Sequence, residues 1–373
     1  MNPDWAYFDY AATTPVADAA LRAFAEALAF PGNSGATHGP GLRARAMLED
    51  ARERFAACVG ADSREIVFTS GATEANNLAL KGTFAYHGVK NPRLVTVQTE
   101  HKAVLDPAGI LVKSGVDAVF LPVRADGLLD LAVFEEALAA KPPTLVSVMA
   151  VNNETGVVQP LRAIADLVHR YGGKFHVDAA QALGKIAVDV RAWDADMVSF
   201  SGHKVYAPQG IGALFVRRLP KMRLQALLHG GGQERGRRSG TSPLALVCAF
   251  AAALEEATHA LPARIATVQA HFDALHAALP GTMTINGALE KACRVPHIVN
   301  VATGRDVADV LARADAARIA LSAGSACQSG EASHVLQAMG RERSGGIRVS
   351  LSHLTTPAEM ARLTTFFNTL ENP

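Results

Sequence analysis

Three shortages narrow the functions open to this chain. Cysteine is scarce. Cys58, Cys248, Cys293 and Cys327 are all there is in 373 residues. They form no CxxC pair and have no metal-ligand spacing, which argues against a disulfide framework and leads us to expect no metal. Net charge is also small: the formal value is +1, with no basic stripe. That is not the electrostatic footprint of a nucleic-acid binder, so no nucleic-acid partner is expected. Long apolar runs are missing too. The longest, Leu244 to Leu254, falls well short of the ~20 residues that span a bilayer. The first residues, Met1-Asn2-Pro3-Asp4-Trp5, lack the basic-then-apolar pattern of a signal peptide. A soluble, cytoplasmic protein without a membrane partner is expected. There is neither an internal repeat nor a low-complexity tract.

What is present suits a large enzyme-like core. Hydrophobic residues make up 49% and charged residues 19%, and the length predicts two domains at roughly 150 residues each. From Glu65 to Val216 short apolar strands alternate with helical patterns: Ile66–Thr69, Leu94–Val97, Ala118–Leu121, Leu145–Met149, Phe175–Asp178, Met197–Phe200 and Ile211–Val216. This alternation predicts a doubly wound, largely parallel sheet. Thr73, His101, Asn153, Asp178 and Lys204 all fall just beyond strand ends. In such sheets the ligand crevice lies outside the carboxyl ends of the strands, so a parallel arrangement would gather these five.

Each admits a plainer reading on its own. Ser70-Gly71-Ala72-Thr73-Glu74 joins a strand to a helix, a geometry in which free N–H groups hold a phosphate. Thr73 is equally a simple N-cap. His101 is either a site residue or a satisfied surface histidine. Lys204 lies in Ser201-Gly202-His203-Lys204 between two apolar strands. A lone turn lysine is usually solvated, but here Ser201 and His203 flank it and Asp178 ends an upstream strand. A lysine forming a Schiff base with pyridoxal phosphate needs a carboxylate for the ring nitrogen and an anion site for the phosphate. Among the cysteines, Cys248 lies in the apolar Leu244–Leu254 run and Cys58 on a helical pattern, and both read as core. Cys293 has no assignment. Cys327 sits in the small-residue stretch Ser322-Ala323-Gly324-Ser325-Ala326-Cys327-Gln328-Ser329-Gly330, where it is either an incidental thiol or a reactive one.

Beyond about Glu255 the composition changes, and short strands such as Ile298–Val301 and Ile347–Leu351 alternate with helices. We expect a large domain over residues 14–255, and a smaller α+β domain made of residues 1–13 and 256–373.

Taken together, Tyr7–Pro15, Phe68–Asn77, Glu100–Leu105, Val151–Gly156, His176–Gln181, Ser201–Lys204, Gly230–Thr241 and Ser325–Cys327 resemble the cysteine desulfurases of the class V aminotransferase group. These belong to the fold type I pyridoxal-phosphate enzymes. The resemblance implies an α/β fold with a large mixed, mostly parallel sheet domain and a smaller α+β domain. It also implies pyridoxal 5'-phosphate as cofactor and L-cysteine as substrate. Lys204 would carry the Schiff base. Asp178 would pair with the ring nitrogen, and Gln181 would lie on the ring-hydroxyl side. His101 would stack on the ring and move protons. Ala72, Thr73, Ser201 and His203 would bind the phosphate. Thr241 would reach the phosphate of a neighbouring subunit, implying a homodimer. Asn153 would touch cofactor or substrate, Arg348 would clamp the substrate carboxylate, and Cys327 would be the nucleophile. The products would be alanine and a persulfide on Cys327, destined for a sulfur acceptor or iron–sulfur scaffold protein. Selenocysteine lyase or another class V aminotransferase is the alternative. Two stretches depart from the family pattern: Gly32-Asn33-Ser34-Gly35-Ala36-Thr37-His38, and Ser352-His353 where the family often has Gly-Arg.

Overall fold

A computed structural model of the chain describes residues 4–87, 91–324, 333–342 and 345–371. Short apolar segments that recur between helices form a seven-stranded sheet: β2 (Ile66–Thr69), β3 (Arg93–Val97), β4 (Asp117–Leu121), β5 (Leu145–Met149), β6 (Lys174–Asp178), β7 (Met197–Ser201) and β8 (Gly212–Val216). Its order is β2-β8-β7-β6-β5-β3-β4. β8 runs antiparallel to both of its neighbours, and the other six strands run parallel to one another. The sheet is therefore mixed and mostly parallel, as expected. The exception has a simple cause. A parallel crossover needs a dozen or more residues, and the Gly202–Ile211 connection is shorter, so the chain must turn straight back. The close seat of β8 also needs Gly212, because a Cβ there would overlap the backbone of Gly71.

β2, β3, β5, β7 and β8 are buried along their whole length, which requires cover on both faces and explains their unbroken apolar sequences. One face is covered by α3 (Ala72–His87) and α4 (Lys102–Lys113) through Leu78, Val104, Ala108 and Leu111. The other is covered by α2 (Gly39–Cys58), α6 (Leu161–Arg170) and α7 (Leu244–His259), with α1 (Asp18–Leu28) packed on α7. Phe55 sits at the centre of this second layer, with Phe68, Phe200 and Phe250 edge-on at 5.8, 5.7 and 4.9 Å. α5 (Leu131–Ala140) completes the layer through Phe134 and Leu138.

A second core surrounds an antiparallel sheet of β9 (Thr284–Asn286), β10 (Ile298–Ala302) and β12 (Gly346–Ser350), in the order β12-β10-β9. α8 (Leu261–Ala278), α9 (Val307–Ala316) and α11 (Pro357–Thr369) supply its apolar cover. The short β1 (Ala6–Tyr7) pairs in parallel with β11 (Ile319–Ala320), so the N-terminal segment is hydrogen-bonded into the C-terminal half. On these contacts we propose the division into residues 14–255 and residues 1–13 with 256–373. A short helix, α10 (His334–Ala338), follows the segment that contains Cys327. Among the described residues no single helix is long and apolar enough to cross a membrane. Cys248 is buried as expected, whereas Cys58 and Cys293 are partly exposed.

Candidate active site

Because six strands run the same way, their carboxyl ends share one edge of the sheet. There the ends of five of them, β2, β3, β5, β6 and β7, line a cavity of about 580 Å³. Thr73, His101, Asn153, Asp178 and Lys204 all reach it, as the parallel arrangement required. Ala72, Gln181, Ser201 and His203 line it too, and Arg348 enters from β12. Thr241 does not line it and is exposed. Cys327 lies outside the described residues.

Lys204 ends a single 3-10 turn, Gly202–Lys204, that follows β7. The turn is held from both sides. Thr14 Oγ1 donates to the His203 carbonyl at 2.9 Å and accepts from the Tyr206 N–H at 2.9 Å. Lys185 Nζ donates to the Lys204 carbonyl at 3.3 Å. Burial lowers the pKa of the Lys204 amine; the Asp178 carboxylate opposes this and the Arg348 cation adds to it. The amine is therefore closer to its neutral, nucleophilic form than a surface lysine. Burial first, then the Lys204 and Lys185 cations, pushes His203 down to about 4. Its ring is therefore neutral, and Nδ1 lies 3.2 Å from Thr13 Oγ1.

Asp178 is the carboxylate at the end of β6. Its Oδ2 accepts from Asn76 Nδ2 at 2.7 Å and its Oδ1 from the Ala180 N–H at 2.9 Å. It closes a local turn and caps no helix. Asn76 was not singled out from the sequence. The available signal was its position three residues after Thr73 on α3, which puts both on one helix face. Gln181 Nε2 donates to the Ala11 carbonyl at 2.8 Å. Gln181 Oε1 and Asn76 Oδ1 are buried without a partner among the described residues.

His101 caps α4: its Nδ1 accepts from the Ala103 N–H at 3.0 Å. An acceptor at Nδ1 assigns the proton of the neutral ring to Nε2. Burial lowers its pKa, which favours that neutral form. The preceding Glu100 is fully buried. Its Oε1 accepts from the Met149 N–H at 2.6 Å, and Oε2 has no partner among the described residues. Burial, reinforced by Asp178, raises the Glu100 pKa well above the usual carboxylate range. A glutamate beside a histidine carries no burial signal in sequence, so Glu100 was missed.

Asn153 is presented by a turn that Asn152 builds. The Asn152 side-chain oxygen accepts from the Glu154 and Thr155 N–H groups, both at 2.9 Å. The buried Arg348 guanidinium is aimed by two groups. Nη2 donates to Asp9 Oδ1 at 2.7 Å, and Nη1 donates to the Asn153 carbonyl at 3.1 Å. Asp9, 339 residues away in sequence, is a third residue, after Asn76 and Glu100, that sequence reasoning missed.

The two unusual stretches also have places. His38 ends the Gly32–His38 loop by capping α2, with Nδ1 accepting from the Gly41 N–H at 3.2 Å. Ser352 Oγ and His353 Nδ1 lie 2.7 and 3.3 Å from the Tyr206 hydroxyl, two residues beyond Lys204. The Gly230–Thr241 stretch is anchored by Glu234, which pairs with Arg52 at 2.7 and 2.9 Å in the interior.

The donor set is specific. The first-turn amides of α3 have no partner further back in the helix, and Ala72, Thr73, Ser201 and His203 gather around them on the cavity wall, an arrangement suited to a phosphate. Asp178 suits a protonated ring nitrogen, and Lys204 a carbonyl. The unpartnered Gln181 and Asn76 oxygens and Arg348 Nε leave polar atoms for a ligand to satisfy. These residues fit a flat, phosphorylated cofactor that bears a carbonyl and a basic ring nitrogen.

The model of the family described as aminotransferase class-V matches residues 6–363. The chain belongs to the class-V aminotransferase family. Among relatives in this family, the cysteine desulfurase IscS of Methylococcus capsulatus is 43% identical over 95% of this chain and 89% of the relative. A solved NifS-like protein superposes with a TM-score of 0.87 at 32% identity, covering 98% of each chain. The structure of SspA in complex with cysteine does so with a TM-score of 0.82 at 36% identity, covering 94% of this chain and 99% of that one. The class-V fold type I architecture anticipated from the sequence is the one observed.

Proposed function

We propose that this class-V chain is a pyridoxal-phosphate-dependent cysteine desulfurase, converting L-cysteine to L-alanine and leaving the sulfur as a persulfide on Cys327. One observation carries the reading: Lys204, Asp178 and Arg348 share a single cavity in a chain whose curated relatives are cysteine desulfurases. Bound pyridoxal phosphate would supply an electron sink for the bonds at the substrate Cα.

The chain's own residues do the rest. Arg348, oriented beforehand by Asp9 and the Asn153 carbonyl, holds the substrate carboxylate through its planar donors. Lys204 Nζ, its pKa lowered by burial, takes up and returns a proton at Cα. Asp178, fixed by Asn76 and Ala180, keeps a negative charge against the ring nitrogen. Ala72, Thr73, Ser201 and His203 hold the phosphate, and Gln181 the ring-hydroxyl side. His101 would lie against the ring, and it carries a proton at Nε2, the ring atom its helix cap leaves unused. The Cys327 thiolate attacks the substrate sulfur. An S–S bond forms as the Cβ–S bond breaks; the bonding pair stays with Cβ, which takes up a proton, and alanine keeps the carbon skeleton. An ordinary thiol of pKa ~8.5 is only a few per cent thiolate at neutral pH, so His101 is assigned to assist. A homodimer in which Thr241 serves the neighbouring phosphate, a sulfur-acceptor or iron–sulfur scaffold partner, and a cytoplasmic location complete the proposal.

The same cavity would serve a selenocysteine lyase or another class-V aminotransferase. A transaminase needs no thiol, and the relatives' names favour desulfurization. The test is direct. L-Cysteine added to the purified enzyme should yield alanine, with one extra sulfur found on Cys327 by mass spectrometry. Cys327→Ala should bind the cofactor and release almost no alanine. Normal turnover by Cys327→Ala, or sulfur on another cysteine, overturns the mechanism.

A further inference from the structure

The turn after β5 presents Asn153 to the cavity, and the next residue, Glu154, is fully buried. Among the described residues its carboxylate meets two places in the C-terminal half. Ser333 Oγ donates to Glu154 Oε2 at 2.5 Å, within the short range of hydroxyl–carboxylate bonds. Gly324 packs its backbone flat against the same carboxylate: it has a φ of +90°, and a Cβ there would overlap the carboxylate atoms. Residues 324 and 333 are the two described ends of the segment that contains Cys327.

Each end has a second tie to the site. Ser322 and Arg348 exchange backbone hydrogen bonds at 2.6 and 3.3 Å, which sets the first end beside the carboxylate-binding arginine. His334 Nε2 lies 2.9 Å from the Glu100 carbonyl, which sets the second end beside His101. Ser333 Oγ also accepts from the Leu336 N–H at 3.2 Å, so the same hydroxyl starts α10. The Glu154 charge is also felt at His101, whose pKa it raises against the larger effect of burial.

We infer that Glu154 is a positioning residue that fastens both ends of the Cys327 segment to the turn carrying Asn153. It thereby sets where the thiol can reach. This rests on the desulfurase reading and adds a residue to it. Glu154 touches neither cofactor nor substrate in this role. It acts through Gly324 and Ser333, and a hydrogen bond to an ionised group is the stronger kind.

The test compares the wild-type holoenzyme with Glu154→Gln and Ser333→Ala. Three quantities are measured: single-turnover persulfide formation on Cys327, apparent affinity for L-cysteine, and amide hydrogen exchange of peptides covering 318–324 and 333–338. The expected result for Glu154→Gln is a fall of tenfold or more in persulfide formation, with L-cysteine affinity within about twofold of wild type. Exchange should be faster in both peptides. Ser333→Ala, which keeps the buried charge and serves if Glu154→Gln fails to fold, should shift the same quantities by a smaller factor and mainly in 333–338. Wild-type rates in both variants overturn the inference. So does a slowed rate with unchanged exchange, because the effect would then not pass through the segment ends. A wild-type enzyme that places no sulfur on Cys327 removes the desulfurase reading itself, and this inference with it. Variants as fast as a wild type that does place it there remove the inference alone.

Discussion

Asn76 Nδ2 donates to Asp178 Oδ2 at 2.7 Å while the Ala180 N–H holds Oδ1 at 2.9 Å, so both oxygens of the carboxylate are oriented by the fold before any ligand is present. Asp178→Asn removes the charge and keeps the shape. It should lower turnover by on the order of 100-fold while cofactor content falls far less. Asn76→Ala removes a hydrogen bond to a charged group, about 1.5–3 kcal/mol, and should weaken cofactor affinity by roughly tenfold or more. Titration of cofactor-free protein, with turnover measured alongside, checks both. Unchanged turnover in Asp178→Asn would leave the carboxylate only its local turn to close.

Lys204, half-buried on the cavity wall, is the amine placed to trap a carbonyl. The purified protein should be yellow, and borohydride should fix the cofactor to Lys204 in the wild type. Lys204→Ala should keep the cofactor only reversibly and lose turnover. Peptide mapping after reduction identifies the attached residue, and a cofactor fixed elsewhere would contradict the assignment.

Arg348 has two of its nitrogens aimed by Asp9 and Asn153, so its plane matters as much as its charge. Arg348→Lys keeps the charge and loses the fork. The expected outcome is a rise in KM for L-cysteine of about tenfold or more, with a smaller change in kcat. Steady-state kinetics decide it, and an unchanged KM would move carboxylate binding to another residue.

Lys185 gives a pH dependence with a definite sign. Burial, with help from the Lys204 cation, depresses its pKa from 10.5 to about 7. Between those values the unfolded chain binds the proton and the folded chain does not, so this group makes stability rise with pH across that window. Below pH 7 both states are protonated and the slope vanishes. Lys185→Met should therefore show a flatter melting temperature between pH 7 and 10 than the wild type. Parallel slopes in thermal scans would mean that the amine stays charged in the fold.

Phe55 joins three other aromatic rings in the layer between the sheet and α2 and α7. Phe55→Ala should cost about 3–5 kcal/mol through lost burial and the cavity left behind. Chemical denaturation measures this, and a loss below 1 kcal/mol would mean that the layer collapses to fill the space.

The five residues expected to meet did meet, because six parallel strands must all end at one edge of the sheet, and strand ends can be located from local pattern alone. The turn chemistry was legible for the same reason: a Ser/Gly/His turn after an apolar strand presents Lys204 whatever surrounds it. The reversal of β8 could have been read as well, since its connection is too short for a crossover. Asp9 and Glu100 could not. A carboxylate looks the same in sequence whether it faces water, pairs with a guanidinium from the other end of the chain, or lies buried without a cation.

What the sequence determined by itself was the set of elements, the residues at strand ends and, by resemblance of scattered motifs, the family. These rest on interactions between near neighbours, or on patterns that repeat along the chain. The tertiary structure alone decided which of those residues share a cavity, how their charges shift and what holds them still. Arg348 receives its orientation from Asp9, Asp178 from Asn76, and the two described ends of the Cys327 segment meet on Glu154. Burial and charge proximity depend on distances in space between residues as far apart in sequence as Asp9 and Arg348, and no local pattern encodes those distances.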